Sequence, residues 1–321
     1  MTVPTNLYQK ASLKGDREDL IDKIFNTSPT ETPVVSSIGR TTATNTYHEW
    51  QRDSLAAADA DNAMIDGDDA SMSATTPTER VGNYMQIFSK VKGVSRRANI
   101  VKKAGRGSEL AYIKAQAMLE LKRDIEASVL SNNPAVAPTT SVAGKSAGLG
   151  VQSYANALHN GSGATASWTS GAPTTAVTAG TNRTFTEALL KTACQNIYVN
   201  SGSVASMVVM SPSHKALFSA FTGIAGIRNE VKGKAQAVVT GAADVYVSDF
   251  GSLEIVPHYL MSGATDVHLL NTDYIDLAVL DGFKTEPLAK TGDSEKVLIL
   301  TDCALAVRAP KALGKISNLT A

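Results

Sequence analysis

Apolar residues recur at helical spacing in some stretches of the chain and alternate with polar ones in others. Leu20, Ile21, Ile24 and Phe25 form one stripe behind Asp16, whose carboxylate suits a helix start, so a short helix is expected over Asp16–Phe25. The strongest helical pattern runs from Ser108 to about Ser131. Ser108 is placed to cap it, Glu109 suits the positive end, and Leu110, Ile113, Ala117, Leu121 and Ile125 share a face. Lys122 and Glu126, one turn apart, are expected to pair, and Asn132-Asn133-Pro134 ends the rod. Thr184-Phe-Thr-Glu187 has capping-box spacing and opens a helix to Gly202, and Ser211-Pro212 starts another that closes at Gly223.

Between these lie β-like runs. Ser206–Met210 is a short apolar strand, and Asp244–Pro257 alternates as two strands joined at Asp249–Gly251. Further strands are expected at Val267–Leu270, Ile275–Leu280 and Lys296–Arg308, with a one-helix excursion near Gln152–His159. The mixture is α+β.

Thr42–Arg52 and Arg80–Val91 read as the two arms of a long hairpin, with turn chemistry at Asp66-Gly67-Asp68. Arms of about 20 residues would project about 60 Å, and an isolated ribbon of that kind is stable only against another surface. The alternative is a surface loop. Charge divides sharply here: from Glu49 to Glu79 nearly every charged group is acidic, whereas Arg80, Lys90, Lys92, Arg96, Arg97, Lys102, Lys103 and Arg106 follow without an acid among them. Such blocks suit complementary faces on two copies of one chain, and a solvated basic strip is the plainer reading. Nucleic-acid binding is less favoured, because no aromatic side chains are interleaved with the strip for base stacking.

From Pro134 to Asn182 the only formal charge is Lys145, and Gly, Ala, Ser and Thr dominate. Tyr154, Leu158 and Trp168 are positioned to anchor a partly ordered excursion. The whole chain of 321 residues holds 30 basic and 30 acidic groups, is 43% hydrophobic, and so carries no net charge to steer it to nucleic acid or membrane. Its length is enough for about two folding units. Its apolar runs are far short of the roughly 20 residues that cross a bilayer. The start, Met1-Thr-Val-Pro-Thr-Asn-Leu-Tyr, lacks a basic and apolar leader, so a cytoplasmic site of synthesis is expected, with Cys194 and Cys303 as reduced, buried residues.

Spacings that chemistry requires are missing. His48-Glu49-Trp50-Gln51-Arg52 lacks the second histidine of a zinc helix. Gly144-Lys145-Ser146 ends like a phosphate loop, but Thr139 stands where the first glycine belongs, and Gly148-Leu149-Gly150 is followed by Ser153 in place of a third glycine. No Gly-x-Ser-x-Gly elbow occurs, and the histidines at 48, 159, 214, 258 and 268 are scattered singly. No enzyme activity and no cofactor or metal are expected.

The order of parts, together with Thr184-Phe-Thr-Glu-Ala-Leu-Leu-Lys191, Val209-Met-Ser-Pro-Ser-His-Lys215, Asp244-Val-Tyr-Val-Ser-Asp-Phe-Gly251, Glu286-Pro-Leu-Ala-Lys-Thr-Gly-Asp293 and Lys311-Ala-Leu-Gly-Lys315, resembles the major capsid proteins of tailed bacteriophages. The fold is the Hong Kong 97 type and the local wording is similar to the SU10-type major head proteins. The resemblance implies an N-terminal arm (1–39), an extended loop (40–90), a first peripheral segment with the spine helix (91–133), a small-residue insertion (134–182), an axial domain (183–272) and a second peripheral segment (273–321). It implies a structural subunit that assembles as pentamers and hexamers into an icosahedral virion shell around double-stranded DNA, made in the host bacterial cytoplasm. Implied partners are a separate scaffolding protein, because the pre-loop region is short, a portal protein and a possible decoration protein. Trp50, Asp59, Asp61, Asp66, Asp68, Asp69, Arg96, Arg97, Lys102 and Lys103 are the candidate inter-subunit contacts. Competing readings are an encapsulin-like nanocompartment shell and a small soluble α/β enzyme.

Overall fold

The computed structural model of the chain describes residues 24, 26–67, 69, 72, 74–163, 166–169, 171–221 and 244–320. The expected helix over Asp16–Phe25 lies outside them apart from Ile24, as do Asp68 and the expected helix end at Gly223. In chain order come α1 (Pro33–Ser37), β1 (Gly39–Thr42), β2 (Tyr47–Arg52), β3 (Glu79–Tyr84), β4 (Gln86–Ser95), α2 (Arg96–Ile100) and α3 (Glu109–Leu130). Then follow α4 (Leu149–Gln152), β5 (Ala157–Leu158), β6 (Ser167–Thr169), β7 (Ala172–Thr175), α5 (Glu187–Ser201), β8 (Met207–Met210) and α6 (Pro212–Ser219). The C-terminal third holds β9 (Val245–Ser248), β10 (Gly251–Pro257), β11 (Val267–Leu270), β12 (Ile275–Leu288), β13 (Ser294–Val307) and β14 (Gly314–Ile316).

Two sheets carry the body. One has the strand order β1-β12-β13-β4, the other β5-β14-β11-β8-β10-β9. The rod α3 lies on the first. It starts where Ser108 accepts the Ala111 N–H, and its 22 residues make about 33 Å. Its buried side, Ala117, Leu121, Ile125 and Val129, joins Phe88, Val297, Ile299 and Leu305 in a common core. The second sheet packs against α5 and α6 through Leu190, Ile197, Phe218, Leu253 and Leu269. Met207 and Val209 face the first core and Val208 and Met210 the second, so the period-two alternation of β8 joins the two units.

Several expectations are corrected. The long hairpin is two ribbons. Only Tyr47–Arg52 and Glu79–Tyr84 pair with each other, about 20 Å of ladder. The run from Arg80 divides at Met85, beyond which β4 pairs instead with β13 from Ser95 to Gln86. The intervening residues form no strand among those described, as expected of an Asp- and Ala-rich segment with little β-preference. Strand β12 runs to Leu288 rather than Leu280, through two register shifts. Pro287 is tolerated there because β1 pairs with β12 only as far as Val279, leaving the far half of β12 a sheet edge that needs no N–H donor.

Helix α5 is capped by Thr186, which accepts the Leu189 N–H, rather than by Thr184, and it closes on Gly202 at φ +67°. The helix expected at Gln152–His159 is a single turn, α4, followed by β5, which adds to the edge of the six-stranded sheet beside β14. The small-residue region is otherwise folded around Ala135, Ala147, Val151 and Ala166, with the Tyr154 and Trp168 rings 5.9 Å apart. Glu126 does not pair with Lys122. It is fully buried, its Oε1 2.9 Å from His258 Nε2.

Candidate assembly surfaces

The short β2–β3 ladder is well seated. Tyr47 and Tyr84 pack with centroids 4.5 Å apart and ring planes tilted by 37°, Glu49 binds Arg80, and the Arg52 guanidinium lies 4.5 Å over the Trp168 ring and 3.3 Å from Glu79. Trp50 is half-buried beside His48, whose protonation burial and the Arg308 charge disfavour. Beneath the ladder, Asn83 is fully buried. Its amide donates to Ser146 Oγ and to the Ala147 and Leu305 carbonyls, and its oxygen accepts the Ala147 N–H.

The segment that leaves this base is exposed. Leu55 is 97%, Ile65 77% and Met64 63% accessible, an unusual display for large apolar side chains. Asp59, Asp61, Asp66 and Asp69 are all exposed, and Gly67 turns the chain at φ +84°. Asp53, Asp59, Asp61 and Asp66 form no ion pair with a described residue.

Much of the basic strip is paired inside the chain. Lys90 binds Asp124 at 2.6 Å, Lys92 binds Glu120 at 2.9 Å, and Arg96 binds Asp293 at 2.9 Å. Lys103 and Arg106 converge on Glu109 at 3.8 and 2.5 Å. Because β4 runs along α3, its inward Lys90 and Lys92 meet acids spaced one turn apart on the helix. Arg97 and Lys102 form no ion pair with a described residue, and both are exposed. Arg97 stands at a cleft of about 670 Å³ bounded also by Gly93, Val101, Lys103, Arg106 and Glu109, with Lys102 between two of these residues in the chain and Ile100 and Val101 open to solvent on the same short helix and its end.

The acidic segment and the cleft are both on the surface, and among the described residues no ion pair joins Asp59, Asp61 or Asp66 to the cleft. Of the candidate contacts, Lys103 and Arg96 are engaged internally, Trp50 is half covered, and Asp59, Asp61, Asp66, Arg97 and Lys102 are free to meet something else.

Sequence reading missed the buried polar groups, because isolated histidines carry no spacing signal. His214 accepts from or donates to Ser211 through Nδ1 at 2.8 Å while Nε2 donates to the Thr320 carbonyl at 3.0 Å, so both ring nitrogens are occupied in holding α6 to the C-terminal tail. His268 faces Lys315 across β11 and β14, and Lys315 Nζ binds the Gly150 carbonyl and Asp266. Burial and the Lys315 charge push the His268 pKa down to about 4. Cys194 and Cys303 are buried and free, with burial pushing their thiols up to about 11 and about 12. Among the described residues no group of three or more His, Cys, Asp or Glu is arranged to hold a metal, and no helix is long and apolar enough to cross a membrane.

Comparison with known proteins gives this arrangement its context. The family model for SU10 major capsid protein matches residues 3–320. The major capsid protein of Escherichia phage Phieco32 is 37% identical over 131 residues, an alignment that covers 41% of this chain and 37% of that relative. Among solved structures, the cyanophage A-1(L) capsid subunit superposes with a TM-score of 0.65 at 12% identity, covering 99% of this chain and all of that one. Gordonia phage Cozz gives 0.60 at 10% identity, covering 100% and 99%. The SrpI encapsulin of Synechococcus elongatus shares the fold less closely, at 0.52 and 11% identity over 95% and 92%. With the Hong Kong 97-type capsid fold and a family match over nearly its whole length, the chain belongs to the SU10 major capsid protein family.

Proposed function

We propose that this chain is the shell-forming subunit of a tailed-phage head, and that its exposed acidic segment is the strap by which one copy holds the next. The family match supports the phage shell over a cellular compartment, since the encapsulin likeness is one of fold alone. The role is structural. In this reading, 40–90 is the extended loop, α3 with the β12–β13 ribbon the peripheral domain, the six-stranded sheet the axial domain, and 1–39 the arm. Pentamers and hexamers, a separate scaffolding protein, a portal, a decoration protein and packaged double-stranded DNA are the partners the family likeness implies, with assembly in the host cytoplasm.

One observation carries the strap: Leu55, Met64 and Ile65 stand exposed among Asp59, Asp61 and Asp66, none of which forms an ion pair with a described residue. Exposed apolar area of this kind is stabilised by burial on a neighbour, and the cleft beside Arg97 and Lys102 offers charge of the opposite sign. Individual exposed ion pairs contribute little, at most about 1 kcal/mol each, so a shell relies on their repetition across many copies. Deleting residues 56–70 tests the reading. The ladder Tyr47–Arg52 with Glu79–Tyr84 lies outside the deletion, so the subunit should fold with unchanged circular dichroism and fail to form closed shells by sedimentation and electron microscopy. Full-size particles from the deletion would refute it.

A further inference from the structure

The spine helix carries an ionisable side chain inside the largest apolar core. Glu126 is fully buried among Val34, Leu121, Ile125, Met207 and Ile275. Three donors reach it, and none is a formal cation. The Val34 and Val35 N–H groups donate to Oε1 and Oε2, each at 2.8 Å, and His258 Nε2 lies 2.9 Å from Oε1. The Leu260 N–H donates to His258 Nδ1 at 3.1 Å, which places the ring proton on Nε2 and makes the imidazole a neutral donor.

Helix α1, which owns two of these donors, is otherwise held by apolar contacts of Val34, Val35 and the following Ile38 and by the Ser37 hydroxyl on the Met207 sulfur. Five residues are far too few for an independent helix, its flanking Thr32 makes no side-chain cap, and Val34 is its one fully buried residue. The amides at its start would be orphaned without an acceptor, and the acceptor comes from a different element 92 residues away. On the N-terminal side, residues 26–31 are exposed. On the other, β1 joins β12 through four residue pairs.

We infer that Glu126 is a latch: it fixes the direction in which the chain leaves the body ahead of β1, and its opening frees residues 26–37 as a unit while both sheets stay closed. His258 is the positioning residue that aims the carboxylate. The device is independent of the strap proposed above, since it involves neither the 53–78 segment nor the basic cleft. It gives the arm two states, docked and released, separated by one carboxylate rather than by unfolding.

Hydrogen exchange read by mass spectrometry on the full chain tests this. In Glu126→Gln, which keeps the side-chain volume but turns an NH2 toward a donor, exchange in the peptide covering 26–42 should rise at least tenfold, with peptides covering β8 and β11 within twofold of the parent. Glu120→Gln on the same helix, which touches only the Lys92 bond to β4, should leave the arm unchanged. Equal acceleration of arm and strands in Glu126→Gln, or no change in the arm, would overturn the latch. Should Glu126→Gln not fold, the parent protein still decides: under increasing urea the amides of Val34 and Val35 should open in a step separate from, and easier than, β8 and β11. Their opening together with those strands would equally overturn it.

Discussion

His268 offers a measurement whose sign and size follow from its surroundings. It sits on β11, 1% exposed, directly across from Lys315 on β14, with Asp266, two residues before it and bound to the lysine, as a compensating charge. Desolvation and the lysine both oppose a second cation, so the folded pKa falls from 6.5 to about 4. A histidine whose folded pKa is depressed contributes its stability fully above the unfolded value, and that contribution is lost as pH falls from about 6.5 toward about 4. At about pH 5 the loss amounts to roughly 2 kcal/mol, approaching roughly 3 kcal/mol at the acid limit. Urea unfolding of dissociated subunits at about pH 7.5 and about pH 5, for the parent chain and for His268→Gln, isolates the effect. Other titrating groups, His214 among them, are common to both proteins and cancel. The stability difference between the two should shift by roughly 2 kcal/mol in the variant's favour on acidification. A difference that is the same at both pH values would refute the reasoning.

Replacing Arg97 and Lys102 together by glutamine should slow assembly at low salt, followed by light scattering, with the defect shrinking as salt is raised, because exposed charges of this kind are screened. Leu121→Ala removes a fully buried side chain from the centre of the spine-helix core and should lower unfolding stability by roughly 2–5 kcal/mol, seen as an earlier urea midpoint at unchanged slope.

Local signals were readable wherever cause and effect lie within a turn of each other. Ser108 and Ser211 cap the helices they precede, because a cap bonds an amide three residues on. The strands Asp244–Pro257 and Val267–Leu270 follow from alternation and turn residues alone. Partner choice was not readable. The alternation from Arg80 onward announces strand without announcing that the first half pairs with residues near 50 and the second with residues near 300. Spacing suggested that Glu126 meets Lys122, while the fold delivers His258 from the end of β10. The charge blocks were legible as blocks. Their cancellation was not, since Asp124, Glu120 and Asp293 reach the basic strip only after β4 is laid against α3 and β13. The exposed segment was legible as acidic; what it meets was not, since Asp59, Asp61 and Asp66 form no ion pair with a described residue.

The position of β14 has a consequence for the order of events in folding. This three-residue strand is an interior member of its sheet, joined to β11 on one side and to β5 on the other. Beyond it, Leu319 and Thr320 tie back to Thr265 and Arg183. Lys315 pairs with Ala157 and His268, so the sheet closes only through contacts distant in sequence, and long-range pairing of this kind is slow to form. Docking of this one short strand is therefore a late step: until it seats, β11 and β5 each keep an unpaired edge and the sheet has no finished face to present.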